Sequence, residues 1–518
     1  MKAWQDYMES KLRMVMYLAA ILVLFSLQPA GLGYAANLFV TTAGSGTACT
    51  QPQPCSLQTA LSKASSGDAI YVAAGTYTGT GDNVVELSQD ILLYGGWDGA
   101  SSGPLARNPK LHVTVLDGED ARRVVYIAQG ASPTIDGFTI TRGNATGLIT
   151  DCSGSGGKPD GCGGGIFAYQ ASPSITNNLI TANVATYTTQ GYPTATTGYG
   201  GGIYLRACTG ALVSDNTISE NIASKANLGQ GGGIYFYGYD QTSAILDNKI
   251  IDNVGTTTTD AGWGGGVSIA SSHLPVKGNT IEGNVASKGG SSQGSGLYQW
   301  QGSAPIQENT IAGNSRGSAV YLGHSYSTVE RNYIWDNDVD EAIRLLASPN
   351  GKNVTLVNNV VVGSGLYVVY AEGHETQPLS AVLKHNTLVA AAASYGVYAI
   401  DHATITMINN IVTGCAVSGN YVADGTSSIA ADHNLFYDNA ADGERGTNPV
   451  DGNPLFRNAA GLDYRLRAGS AAIDAGTDAG ITIDVEGRPR PMKMGYDIGA
   501  YELASGFTPG INMLLLDN

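Results

Sequence analysis

Charged side chains are scarce in this sequence. Asp, Glu, Lys and Arg make up 14% of it, and acids outnumber bases 43 to 27, for a formal charge of −16. No basic stripe is available to neutralise phosphates, so the balance of charge excludes a nucleic-acid partner. The same acidity repels polyanions unless a cation or a local basic patch intervenes. Long apolar runs are missing after the N-terminal stretch, which leaves no later candidate for a membrane span. Sustained 3.6-residue periodicity is missing from the repeats, which argues against a helical architecture. The six Cys show no C-x2-C spacing and the seven His no i, i+4 pairing, so no zinc motif is present.

Glycine and asparagine are plentiful, and they recur in register. Gly231 to Asn253 reads GGGIYFYGYDQTSAILDNKIIDN, and Gly200 to Asn221 and Gly264 to Asn284 repeat it. The motif Asn-x-Ile-x-x-Asn places its first Asn at Asn178, Asn216, Asn248, Asn279, Asn309 and Asn332, with weaker copies at Asn359, Asn386, Asn410 and Asn434. Periods of this length signal a solenoid. Apolar residues alternate over short runs, as at Ile234 and Phe236, which predicts strands. Three short strands per repeat, broken by Gly and Asn turns, predict an all-β chain wound as a parallel β-helix, a three-sheet solenoid. The recurrent Asn tolerates a left-handed turn, and its amide can bond to the same amide one coil away. The Gly triplets admit turns that a Cβ would forbid.

At the N-terminus, Lys2, Lys11 and Arg13 precede the apolar run Met14 to Leu27, and Gly33-Tyr34-Ala35 offers a cleavage site before Ala36. Residues 1–35 therefore read as a secretory signal, with a retained anchor as the alternative. Cys49 pairs naturally with Cys55 and Cys152 with Cys162, each across a short loop, which suits an exported protein. Cys208 and Cys415 are expected to be buried thiols. Leu57, Ala60, Leu61 and Ala64 share one face of a short helix that Gly67-Asp68 stops, and such a helix would cover the open end of the stack.

The run from Gly67 to Tyr77, GDAIYVAAGTY, resembles the N-terminal cap of the pectin-lyase-like superfamily. The resemblance extends through the repeats to about residue 440 and implies a right-handed parallel β-helix with an N-terminal capping helix over residues 36–450. It also implies a groove along the first sheet, walled by loops. It is specific for fold and weak for activity. Residues 451–502 resemble a choice-of-anchor Q module on Pro454-Leu455-Phe456, Ile473-Asp474-Ala475-Gly476 and Asp497 to Glu502. That implies an exported bacterial protein whose C-terminal module caps the stack, followed by a tail at 503–518.

Two candidate sites follow. Inserts between the third strand of one repeat and the first strand of the next vary in length, and such loops commonly carry function. In the first strand, Ile234 and Phe236 point inward, so Tyr235 and Tyr237 point outward. The same register yields an outward stripe of Phe167, Tyr204, Tyr235, Ser268, Tyr298, Tyr321, Arg344, Tyr367 and Tyr398, with Tyr169, Arg206, Tyr237 and Trp300 beside it. Such a stripe could stack sugar rings; stacked aromatics that stabilise the sheet are the alternative. One coil departs from it: Asp336 to Arg344 carries Asp336, Asp338, Asp340, Glu341 and Arg344. Asp340, Glu341 and Arg344 are the candidate catalytic residues, with Arg344 as base or charge partner. Asp338 and Asp340 are the candidate ligands for Ca²⁺. The alternative is an exposed, salt-bridged loop. The expected function is binding of extracellular polysaccharide or a cell-surface glycan along the first sheet. The competing readings are a Ca²⁺-assisted polysaccharide lyase or glycoside hydrolase at this coil, and a non-catalytic adhesin or spacer.

Overall fold

The computed structural model describes residues 35–148, 152, 161–187, 197–349, 351–492 and 494–503. The leader and most of the C-terminal tail lie outside these residues.

The chain is a right-handed parallel β-helix. The first sheet runs through 12 strands, from Asn83–Leu87 to Ser418–Val422. The second has 14, from Asn37–Val40 to Ser428–Asp432, and the third 14, from Gly75–Tyr77 to Val450–Asp451. Each strand pairs in parallel with its counterpart one coil on, as Ile203, Tyr204 and Leu205 do with Ile234, Tyr235 and Phe236. Alternation sets what is inside. Ile203, Ile234, Val267 and Leu297 form one fully buried row, and Ile218, Ile250, Ile281 and Ile311 form another. Burying each such side chain is worth about 1.5–3 kcal/mol.

Two columns of Asn fasten the turns. Asn248 donates from Nδ2 to Asn279 Oδ1 at 3.0 Å and to the Val213 carbonyl at 2.9 Å. Its backbone N–H donates to the same Oδ1 at 2.9 Å. This pattern runs from Asn178 to Asn434 at the turn between the second and third sheets. A second ladder runs from Asn183 to Asn337 after the third sheet. The residue before each ladder Asn turns left-handed, as at Asp247 with φ 55° and His385 with φ 53°.

The helix Leu57–Lys63 forms as expected. Ser56 caps it by accepting from the Thr59 N–H, and Leu57, Ala60, Leu61 and Ala64 pack against the end of the core. Both local disulfides, Cys49–Cys55 and Cys152–Cys162, are present, and Cys208 and Cys415 are buried free thiols.

Residues 451–502 are expected to cap the end of the stack, and those described, 451–492 and 494–502, pack against its side. They fold back along the outer face of the third sheet, where Tyr464, Val485 and Tyr501 bury Val360 and Val362. Leu466, Ala472 and Ile498 cover Ile411 and Leu435. The reason is legible in these strands: VVVG and IVT are apolar on both faces, as sheets buried on two sides require. The buried Arg490 guanidinium ties the segment down, bonding Glu502 at 2.9 Å and Asn358 at 3.1 Å. His385, also buried, faces the Asp497 carbonyl through Nδ1 at 3.2 Å and Asn409 Nδ2 through Nε2 at 2.9 Å. This partner set suits a neutral ring with its proton on Nδ1. Burial, and then the nearby Arg490 charge, hold His385 well below its ordinary value.

Two outcomes are expected. Asn279→Ala leaves buried donors and acceptors on three coils without partners, at about 1–3 kcal/mol each. It should lower the urea midpoint clearly, and an unchanged midpoint would refute the ladder's role. Because the unfolded His385 protonates near pH ~6.5 and the folded one resists, stability should fall as pH drops from about 7 towards 5. Buried Asp497 and Glu502 have raised values and oppose this trend at more acid pH. A midpoint as steep in His385→Gln as in wild type would assign the effect elsewhere.

Candidate functional site

The long inserts are not irregular loops at their bases. They leave the third sheet as a four-stranded lateral sheet, Val184–Thr186, Ile222–Ser224, Val254–Thr256 and Val285–Ser287. They return as a five-stranded one, Gly161–Cys162, Gly198–Tyr199, Gly229–Gln230, Gly262–Trp263 and Ser292–Gln293. The Gly triplet makes the sharp corner back into the first sheet. Gly231 has φ 64°, and a Cβ there would sit 2.3 Å from the Ile234 carbonyl oxygen. Stacked inserts thus build a continuous wall beside the first sheet.

The wall changes the meaning of the aromatic stripe. Register confirms the column Phe167, Tyr204, Tyr235, Ser268, Tyr298, Tyr321 and Arg344. Its rings are nevertheless covered, not presented to solvent. Tyr204 is 0%, Tyr235 8%, Tyr298 7% and Tyr321 1% exposed. Tyr199 of the wall lies 5.0 Å from Tyr235, Trp263 lies 6.3 Å from Tyr298, and the Tyr204 hydroxyl donates to the Cys152 carbonyl. For Tyr204 and Tyr235 the structural stack is therefore the role the structure supports. Tyr237 and Trp300, one column over, stay partly exposed, with Arg206 lying 5.7 Å over the Tyr237 ring.

Tyr367 is a second correction. It pairs with Glu341, and Tyr370 is the residue aligned with Arg344. The alternation misleads here because Val368 and Val369 are both buried, so two inward residues stand side by side. Tyr370 then leads on to Tyr398 and Tyr421.

The Arg344 coil lies where the wall ends. After Gln293 the inserts shorten, and the wall survives as single bridges from Val285 to Ser315 and from Ser315 to Asp338. Beside it opens a cavity of about 610 Å³, lined by Arg316, Asp338, Asp340, Glu341 and Arg344. Asp336 is elsewhere, in the left-handed turn before Asn337. A neighbouring depression of about 540 Å³ shares Ser291 and Gln293 with it and is lined by Trp263, Tyr298, Trp300 and Tyr321.

Inside the cavity Arg344 bonds Glu341 at 3.1 Å and Glu372 at 2.6 Å, and its guanidinium lies 4.8 Å from the Tyr370 ring centre. Burial works against its charge, but Glu341 and Glu372 together raise its value. Arg344 is thereby biased towards its charged form, the state of a charge partner. Burial pushes the Glu341 carboxyl up, and Arg344 only partly opposes this. Asp338 and Asp340 are exposed in the same cavity, as is Arg316, for which no ion pair occurs among the described residues. Glu372 and Arg316 escaped sequence reasoning because both come from other coils.

Ca²⁺ takes six to eight oxygen ligands, about 2.3–2.6 Å away. Among the described residues no group of three or more His, Cys, Asp or Glu converges to hold a metal ion. With Glu341 engaged by Arg344, Asp338 and Asp340 do not fit a protein-built Ca²⁺ cage. The histidines are dispersed: His433 pairs with Asp432 at 2.9 Å, and His324 packs edge-on to Trp300.

No curated protein matches the chain. Among solved structures, pectate lyase Pel9A aligns at 12% identity over 91% of this chain and 97% of its own, with a TM-score of 0.41. The alginate lyase from Paenibacillus sp. str. FPU-7 aligns at 14% identity over 79% of this chain and 99% of its own, with a TM-score of 0.34. The periplasmic alginate epimerase AlgG aligns at 13% identity over 78% and 83%, with a TM-score of 0.34. The family model for the right-handed β-helix region matches residues 122–311 and 277–441, more than half of the chain. With parallel coils and Asn ladders spanning the same residues, the chain belongs to the right-handed β-helix family.

Proposed function

We propose that this protein is exported and binds extracellular polysaccharide in the cleft at the end of the lateral wall, and that it cleaves the chain there by acid–base hydrolysis. The observation that carries the reading is the convergence of Asp338, Asp340, Glu341 and Arg344 on one cavity that adjoins a depression lined by Trp263 and Trp300. Two disulfides support export, since such bonds persist in oxidising compartments. No helix among the described residues is long and apolar enough to cross a membrane.

In this reading Glu341 is the acid. Its burial favours the protonated form, and Arg344, held between Glu341 and Glu372, fixes its position. Glu341 gives its proton to the glycosidic oxygen as the bond to the anomeric carbon breaks. Asp340 or Asp338 takes a proton from the water that adds to that carbon. The Ca²⁺-assisted lyase reading is weaker, because Arg344 is biased towards its charged form and no third carboxylate converges with Asp338 and Asp340 among the described residues. The adhesin reading keeps the same cleft and omits the cleavage.

The test is incubation of the purified protein with neutral and uronic polysaccharides, following new reducing ends and, separately, ultraviolet absorbance from unsaturated products. Glu341→Gln should lower release of reducing ends by about 10²–10⁴-fold, with binding retained. Unsaturated products would sink the hydrolytic step in favour of elimination. Absence of any product from wild type would leave binding alone. Trp300→Ala should weaken retention on the bound polysaccharide, whereas Tyr235→Phe, beneath the wall, should not.

A further inference from the structure

Beyond the Arg344 coil the first sheet carries an aromatic surface that the wall does not reach. Tyr367 and Tyr395 stack at 5.5 Å in one column. Tyr370, Tyr398 and Tyr421 stack at 5.5 and 5.3 Å in the next. The two columns touch edge to face, with Tyr367 4.8 Å from Tyr398. All five rings are partly or largely open, Tyr421 at 40%. Upstream, the same column is sealed by Tyr199 and Trp263 of the chain's own wall. Stacking alone does not require exposure, and in these coils the rings are left uncovered.

The charge around this platform is distinctive. The cation that touches it is Arg344, already bonded to two carboxylates. Acidic groups lie along it: Glu372 in the adjoining column, and Asp424, held ionised well below the usual carboxylate range first by the Asp401 N–H and then by Thr426. A polyuronate laid here would meet like charge, and the cation in contact with these rings, Arg344, is already paired with two carboxylates. A second copy of this acidic chain would meet the same repulsion. Aromatic faces instead suit flat, weakly polar ring faces with hydrogen-bonding rims. The platform presents rings once per coil, a repeat close to that of an extended sugar chain.

We propose that Tyr367, Tyr370, Tyr395, Tyr398 and Tyr421 form a binding platform for an uncharged linear polysaccharide, continuous with the Arg344 cavity. This rests on the polysaccharide reading above and narrows it to neutral chains. Glycan rings stack over the two tyrosine columns, and the chain runs from them past Arg344 into the cavity.

The test is calorimetric titration with cello-, manno- and xylo-oligosaccharides and with oligogalacturonate, on wild type, Tyr370→Ala/Tyr398→Ala and Tyr370→Phe/Tyr398→Phe. At least one neutral series should bind, the double Ala variant should weaken it by about tenfold or more, and the double Phe variant should keep most of the affinity. Thermal melts establish that each variant is folded. A folded double Ala variant with wild-type affinity, no binding of any neutral series, or tighter binding of oligogalacturonate than of every neutral series would overturn the platform. Cleavage is read separately through Glu341→Gln, so a platform that binds beside an inert cavity, or a cavity that cleaves without the platform, is told apart.

Discussion

The fold depends on one repeated hydrogen bond, an Asn side chain donating to the Asn of the next coil. Each amide in the ladder is buried and bonds both within and between coils, so it fixes the turn and the vertical register together. A one-residue slip would orphan these groups at once, and their burial keeps bulk water from replacing the partners. Register is therefore set at the corners, and the strands between them are free to vary. That freedom lets the same coil carry Tyr235, Ser268 or Arg344 at one outward position without disturbing its neighbours.

The second constraint is the length of the insert. Long inserts stack into lateral sheets and roof over the aromatic column, and short ones leave it open. The candidate cleft lies at the change from one regime to the other. Asp338 continues the line of the wall, while Arg344 continues the line of the tyrosines. The candidate cleft is thus placed by a boundary between two kinds of coil. The C-terminal segment uses a different surface, the outer face of the third sheet, and leaves the cleft untouched.

Electrostatics then restrict the chemistry. An arginine flanked by Glu341 and Glu372 is biased towards its charged form, and a buried glutamate beside it towards the acid form. That arrangement suits proton donation.

The sequence alone determined the coil, the ladders, the capping helix and both local disulfides, because each depends on residues close in the chain or repeated at a set period. It also marked out the Asp338 to Arg344 cluster, since an arginine interrupts the aromatic stripe there. It could not decide which tyrosines are open. Tyr204 and Tyr398 read alike as outward residues, and only the wall, packed from distant inserts, buries the first and spares the second. Tyr367 was misplaced because Val368 and Val369 both enter the core, and pairing with the coil before is what decides between two apolar neighbours. The bond from Glu372 to Arg344, and the segment lying along the third sheet, join residues far apart in the chain. Their geometry exists only once the coils are stacked.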